Sequence, residues 1–187
     1  MNLIFKEEIF CFRELFSLKT LDLSYISNPI LFNTTLDSLI SLTTLYLNSN
    51  RLGLIEKNAF KNLKLLNTLD LSTNKIQDLE AETFATLASL VSLFMSFNSI
   101  SSFSSLNANL RHLTRLETLD LSNNNIEIIS EIDLNFSLNF LKAINLANNQ
   151  IKSIHSAAFQ SLSRLESFRF AYNNLEFFDL SSLIFGR

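Results

Sequence analysis

The side chains able to do chemistry are few and far apart. His112 and His155 are the two histidines and Cys11 is the single cysteine. A protein metal site needs three or four ligands at short spacings. Neither histidine has a Cys or a carboxylate at such a spacing, so both are read as solvated residues, and no metal is expected. Cys11, beside Phe12, reads as a buried thiol. No P-loop, G-x-G-x-x-G, H-E-x-x-H or G-x-S-x-G stretch occurs. A nucleophile, a base and an oxyanion donor do not converge anywhere, so the sequence predicts a non-enzyme without a cofactor. Recognition chemistry remains. Asp22, Tyr46, Asp70, Phe94, Asp120, Asn145 and Arg169 recur at a nearly constant spacing, which suits a binding strip. Asn33-Thr34-Thr35 and Asn135-Phe136-Ser137 are acceptor sequons for N-glycosylation.

An internal repeat positions these residues. Leu42-Thr-Thr-Leu45-Tyr-Leu47-Asn-Ser-Asn50-Arg-Leu52 matches Leu66-Asn-Thr-Leu69-Asp-Leu71-Ser-Thr-Asn74-Lys-Ile76 at positions 1, 4, 6, 9 and 11. The template also starts at Leu18, Leu90, Leu116, Leu141 and Leu165, with steps of 24, 24, 24, 26, 25 and 24 residues. Such a period marks a stacked array. Position 14 runs Leu31, Ile55, Leu79, Phe103, Ile129, Ile154, Phe178, and position 19 runs Leu36, Phe60, Phe84, Ala108, Leu134, Phe159, Leu183. The alternation in Leu66-x-x-Leu69-x-Leu71 puts Leu69 and Leu71 on one face of a short strand and Asp70 on the other. The return path lays successive strands in parallel, about 4.8 Å apart. One unit buries too little to offset the ordering of its own backbone, so only the stack is stable. Phe60, Phe84 and Phe159 are expected to form a packing spine on the convex side.

The pattern L-x-x-L-x-L-x-x-N-x-L, with "NAF", "ETF" and "AAF" preceding L-x-x-L, resembles the leucine-rich-repeat family. Its length and its position-19 Phe are similar to the typical class of animal extracellular proteins, among them Toll-like receptors, Slit-like guidance proteins and adhesion receptors. The resemblance implies an α/β right-handed solenoid (a horseshoe) with a parallel concave sheet and an irregular or short-helical convex side. It further implies that the position-9 column, Asn50, Asn74, Asn98, Asn124, Asn149 and Asn173, bonds the backbone of its own turn and of the neighbouring one. That would supply turn chemistry in a chain with only two Gly, where Gly would normally do it. Ile26 replaces Asn in the first unit, with Asn28 and Pro29 following. Phe97 and Tyr172 at position 8 are expected to cover the adjacent Asn turn.

On the outward strand face, position 3 (Thr20, Thr44, Thr68, Ser92, Thr118, Ala143, Ser167) and position 7 (Ser24, Asn48, Ser72, Ser96, Ser122, Ala147, Ala171) are mostly small. They leave the position-5 column standing clear, with Phe94 between Asp70 and Asp120 as the best hot spot. The Asp residues alone read as solvated filler. The flanking carboxylates favour a basic or hydroxyl-rich contact.

Composition bounds the rest. A net charge of −3 and 47% hydrophobic residues fit a folded chain rather than a disordered one, and a nucleic-acid binder with a basic face is not expected. No stretch is apolar enough to span a membrane, and no membrane contact is expected within this segment. Lys6, Glu7 and Glu8 interrupt any signal peptide. Asn2, Ile4, Phe12 and Leu15 continue an earlier unit, and neither end carries a cap. Residues 1–187 therefore read as one array of about seven repeats, an uncapped stretch of a longer ectodomain. The resemblance implies an extracellular or plasma-membrane receptor that binds a protein, glycan or lipopeptide through its concave face and that could pair as a dimer. A non-signalling adhesion or matrix protein and an intracellular scaffold are the alternatives.

Overall fold

The computed structural model describes residues 12–130, 138–155 and 157–176. The chain winds as a solenoid, each turn contributing one strand to a single parallel sheet. Its strands are β1 (Thr20–Asp22), β3 (Thr44–Tyr46), β5 (Thr68–Asp70), β6 (Ser92–Phe94), β7 (Thr118–Asp120), β9 (Ala143–Asn145) and β11 (Ser167–Arg169). They pair in the order β1-β3-β5-β6-β7-β9-β11. Among the described residues two small pairs lie farther along the turns. They join β2 (Ile30–Leu31) to β4 (Leu54–Ile55), and β8 (Ile128–Ile129) to β10 (Ser153–Ile154). Among the described residues one helix, α1 (Phe103–Leu110), occupies the return path of the fourth unit.

The core follows the repeat. In the third unit Leu66, Leu69, Leu71, Ile76, Leu79, Phe84 and Leu87 are all buried, and the stacked equivalents of these positions form one continuous cluster. Strands β3, β5, β6, β7 and β9 each bury their central residue and half-expose its neighbours, as the alternation predicts. Phe60, Phe84 and Phe159 are wholly buried, and the rings of Phe60 and Phe84 meet at 5.9 Å. The expected convex spine is thus in place.

One alignment changes. Ala108 does not fill position 19 of the fourth unit. It is half-buried on α1, whereas Leu106, Asn109 and Leu110 are buried. The two additional residues of this unit are taken up before Leu110, which sits three residues ahead of Leu113 as Phe84 sits ahead of Leu87. The helix absorbs them without disturbing the next strand.

The missing glycines are answered at position 8. Tyr25, Ser49, Thr73, Phe97, Asn123, Asn148 and Tyr172 all have φ between 54° and 59°, a left-handed conformation that costs an ordinary residue roughly 1–2 kcal/mol. The lateral ladder supports it. From Tyr25 to Asn148, each of these residues donates its N–H to the position-7 carbonyl of the following unit, as Ser49 does to Ser72 at 2.9 Å and Phe97 to Ser122 at 3.0 Å. This geometry corrects the expectation for Phe97 and Tyr172. The left-handed corner turns their side chains outward, leaving them 57% and 82% exposed rather than covering the Asn turn.

Candidate binding face

The asparagine column holds successive turns together. Asn98 Nδ2 donates to the carbonyls of Met95 and Ser96 in its own turn and of Leu71 in the preceding one, and its Oδ1 accepts the N–H of Ile76 at 3.0 Å. Asn74, Asn124 and Asn149 repeat the arrangement. Asn173 reaches back to Leu146 and Ile151 in the same way. Asn50, Asn98, Asn124 and Asn149 are buried, while Asn74 and Asn173 are half-buried. At the start of the array Asn50 Oδ1 accepts from both Ile26 and Asn28. There the missing position-9 Asn is accompanied by a second left-handed residue, Ser27. The buried Asn28 donates to the Ile30 carbonyl.

With the turns fixed, the position-5 side chains fall into register across the sheet. Asp22 lies beside Tyr46, Tyr46 beside Asp70, Asp70 beside Phe94, Phe94 beside Asp120, Asp120 beside Asn145, and Asn145 beside Arg169. Phe94 is half-buried rather than free-standing, as are Tyr46, Asp70, Asp120 and Asn145, and Arg169 is exposed. The acidic residues are more than filler. Oδ1 of Asp22, Asp70 and Asp120 accepts the N–H two residues on at 2.9 Å, and Asn145 does the same for Ala147 at 3.2 Å. Ser24 and Ser72 add their hydroxyls at 2.6 Å. The Ser24 hydroxyl and then its N–H hold the Asp22 carboxyl below its ordinary value. The repeated Asp-Leu-Ser triplet was the signal for this local turn.

A shallow depression of about 250 Å³ opens on this face. Phe94 bounds one side and Arg169 the other, and Thr118, Asp120, Ala143, Asn145 and Ser167 lie between. The small position-3 row makes the hollow, and the position-5 row supplies its functional groups. The structure thus gathers Phe94, Asp120, Asn145 and Arg169, while Tyr46 and Asp70 continue the column outside the hollow. A recess of about 450 Å³ at the outer edge of β11 is walled by Phe168 and Phe170. Those rings hold core positions 4 and 6, stacked at 4.8 Å, so this recess is walled by core side chains rather than by the position-5 column.

Elsewhere, Asn33 is exposed and its backbone N–H donates to Glu56; Asn135 and Cys11 lie outside the described residues. His112 is half-buried with Nε2 3.5 Å from Glu82, which also pairs with Arg111. His155 is exposed, and its Nδ1 accepts the N–H of Ala157. A second asparagine device escaped the repeat pattern. Asn109, wholly buried on α1, donates to the Glu80 carbonyl and accepts the Phe84 N–H, tying the helix to the previous unit.

The family profile described as "Leucine rich repeat" matches residues 40–100 and 139–184, and "Leucine Rich repeats (2 copies)" matches 114–161. The chain belongs to the leucine-rich-repeat family. Leucine-rich-repeat arrays bind proteins and are typically non-catalytic. No curated protein sequence matches it. Among solved structures it is similar to TLR13 in a TLR13–ssRNA13 complex, with 30% identity over 92% of this chain and a TM-score of 0.84. It is similar in fold to Toll in the Toll–Spatzle complex of Drosophila, with 22% identity over 86% and a TM-score of 0.77. An internalin of Listeria monocytogenes shares 29% identity over 92%, with a TM-score of 0.68. The chain spans 24%, 22% and 47% of those three chains, respectively. No helix among the described residues is long and apolar enough to cross a membrane.

Proposed function

We propose that this leucine-rich-repeat array is a ligand-recognition segment of an extracellular or cell-surface receptor of the Toll-like kind, binding a protein ligand through its concave face. The observation that carries this reading is the in-register position-5 column that ends in the hollow between Phe94 and Arg169. Similarity to TLR13 at 30% identity supports the receptor context. An acceptor Asn33 on the exposed surface fits passage through a glycosylating compartment. Residues 1–187 act in this proposal as one stretch of a longer ectodomain. TLR13 forms its complex with ssRNA13, but the carboxylates of the present column would repel phosphates, so a protein is the better-matched ligand here.

The test is a binding screen of the full chain against purified secreted proteins, with Phe94→Ala and Arg169→Ala as paired variants. A ligand lost by both variants, at unchanged melting temperature, supports concave-face recognition. Ligands that bind all three proteins equally would place recognition elsewhere. Selective capture of cytosolic rather than secreted proteins would overturn the receptor assignment.

A further inference from the structure

Across five adjacent strands the position-5 side chains alternate carboxylate and aromatic: Asp22, Tyr46, Asp70, Phe94, Asp120. Each ring therefore sits between two carboxylates, one on each neighbouring strand at about 4.8 Å. The flanking rows are uncharged, being Thr or Ser at position 3 and Ser or Asn at position 7 in these units. The field over both rings is consequently set by the carboxylates. The first cation in the column is Arg169, two strands beyond Asp120 and exposed, with no ion pair among the described residues.

The carboxylates are also oriented. One oxygen of each accepts the N–H two residues on, and the other has no partner among the described residues. A cation over an aromatic face is attracted by the ring quadrupole, and the stem of a Lys or Arg gains apolar contact with the same ring. Carboxylates on both sides add ion pairing to that attraction. The hollow of about 250 Å³ beside Phe94 gives such a side chain room to enter.

Resting on the proposal that this face binds the ligand, we infer that the ligand is a basic protein segment whose Arg or Lys side chains lie against Tyr46 and Phe94 between the flanking carboxylates. Arg169 then fixes the direction of docking, because the end of the segment that reaches it must be neutral or acidic. The two rings are two strands apart, about 9.6 Å. A polyproline II segment presents every third side chain on one side at a repeat of about 9.3 Å, so cations three residues apart fit both receptacles. A nucleic acid presents the opposite charge and meets three carboxylates before the single cation.

The probe is a labelled peptide of repeated Arg-Pro-Pro units, titrated against the full chain at about 0.15 M salt, where exposed charges are screened beyond about 8 Å. A Glu-Pro-Pro peptide and a single-stranded RNA of equal length run beside it. Asp70→Asn with Asp120→Asn removes two charges and keeps the Oδ1 acceptor, as Asn145 already shows with Ala147. Both changes create Asn-Leu-Ser sequons, so the protein is made in a host that does not glycosylate. Phe94→Leu removes the ring face while keeping an apolar side chain. Asp78→Asn with Glu80→Gln removes two exposed charges away from the strand face.

The Arg-Pro-Pro peptide should bind and weaken about tenfold in the Asp70/Asp120 pair and about fivefold in Phe94→Leu. The Asp78/Glu80 pair should change its affinity less than about twofold. Equal weakening by the two charge pairs would reduce the effect to net charge and overturn the inference. Preference for RNA or for the acidic peptide would overturn it too. If the basic peptide fails to bind while Phe94→Ala still abolishes binding of a secreted ligand found in the screen, the basic class is wrong and the concave site stands. Failure of both measurements removes the site as well.

Discussion

Oδ1 of Asn98 accepts the backbone N–H of Ile76 at 3.0 Å, although the two residues are 22 apart in sequence. The same side chain donates to Leu71, Met95 and Ser96. One buried amide therefore closes its own turn and fastens the preceding one. Asn98→Ala strands the Ile76 N–H in a buried site, at roughly 1–3 kcal/mol. The Leu71, Met95 and Ser96 carbonyls keep Asn74 Nδ2, Asn124 Nδ2 and the Thr73 N–H, respectively, as donors. Among the described residues the side chain of Asn48, half-buried on the sheet face, has only a 3.4 Å contact to Ser49. Urea midpoints should fall by an amount equivalent to about 1–3 kcal/mol for Asn98→Ala and less than about 1 kcal/mol for Asn48→Ala. Equal midpoints would remove the ladder argument.

Thr73 holds φ at 54° with a β-branched side chain, the residue type least suited to the left-handed region. Asn tolerates that region better, and the array already places Asn123 and Asn148 at the equivalent corner. Thr73→Asn should raise stability by about 0.5–1 kcal/mol, read as a higher melting temperature. The lateral bond from the Thr73 N–H to the Ser96 carbonyl, 2.7 Å, survives the change because it belongs to the backbone. A lower melting temperature would mean that the Thr side chain compensates for its strain through packing.

How much of this was legible depends on whether a feature repeats in residue type. The period, the strand face, the Phe spine and the Asn column recur as amino acids, so the sequence displays them directly. The left-handed corner recurs only as a backbone angle, at positions occupied by Tyr, Ser, Thr, Phe and Asn, and no composition rule marks it. Asn109 escaped for another reason. Its unit carries inserted residues that shift the alignment, and α1 then offers a buried amide where the equivalent described positions Ala59, Thr83 and Ala158 offer none. The position-5 Asp column was visible, but its role as a turn acceptor was hidden in Asp-Leu-Ser triplets read only for exposure. The hollow beside Phe94 depends on four strands at once, and the repeat template describes one strand at a time.

The Asp22 carboxyl is held low chiefly by the Ser24 hydroxyl and also by its N–H. A carboxyl whose folded pKa lies below its unfolded value adds stability above the unfolded value, and that stability is lost as pH falls through the folded one. The group is fully exposed, so its effect is best read on the titration itself. Ser24→Ala removes the hydroxyl but keeps the N–H, so the Asp22 pKa should rise part of the way toward its ordinary value. Carboxyl chemical shifts followed by NMR across the acid range check this. An unmoved titration would show that the hydroxyl bond does not persist in solution.

Phe84 and Phe94 are ten residues apart and should behave oppositely. Phe84 is wholly buried against Phe60 and receives the Asn109 acceptor on its own N–H. Truncating it opens a cavity between two stacked units, which costs about 3–5 kcal/mol for a buried Phe. Because each unit is stable only through its neighbours, that loss should lower the melting temperature of the whole array and broaden the transition. Phe94 stands half-buried on the other face, between Asp70 and Asp120. Its removal forfeits a modest contact with adjacent strands and relieves an apolar surface in water, so the cost should stay below about 1 kcal/mol. If the ring serves the binding face, Phe94→Ala should weaken the ligand by far more than it weakens the fold. Calorimetry and binding on the two variants separate the roles. A Phe94→Ala protein that melts as early as Phe84→Ala while retaining its ligand would make the ring a structural element and move the site elsewhere on the sheet.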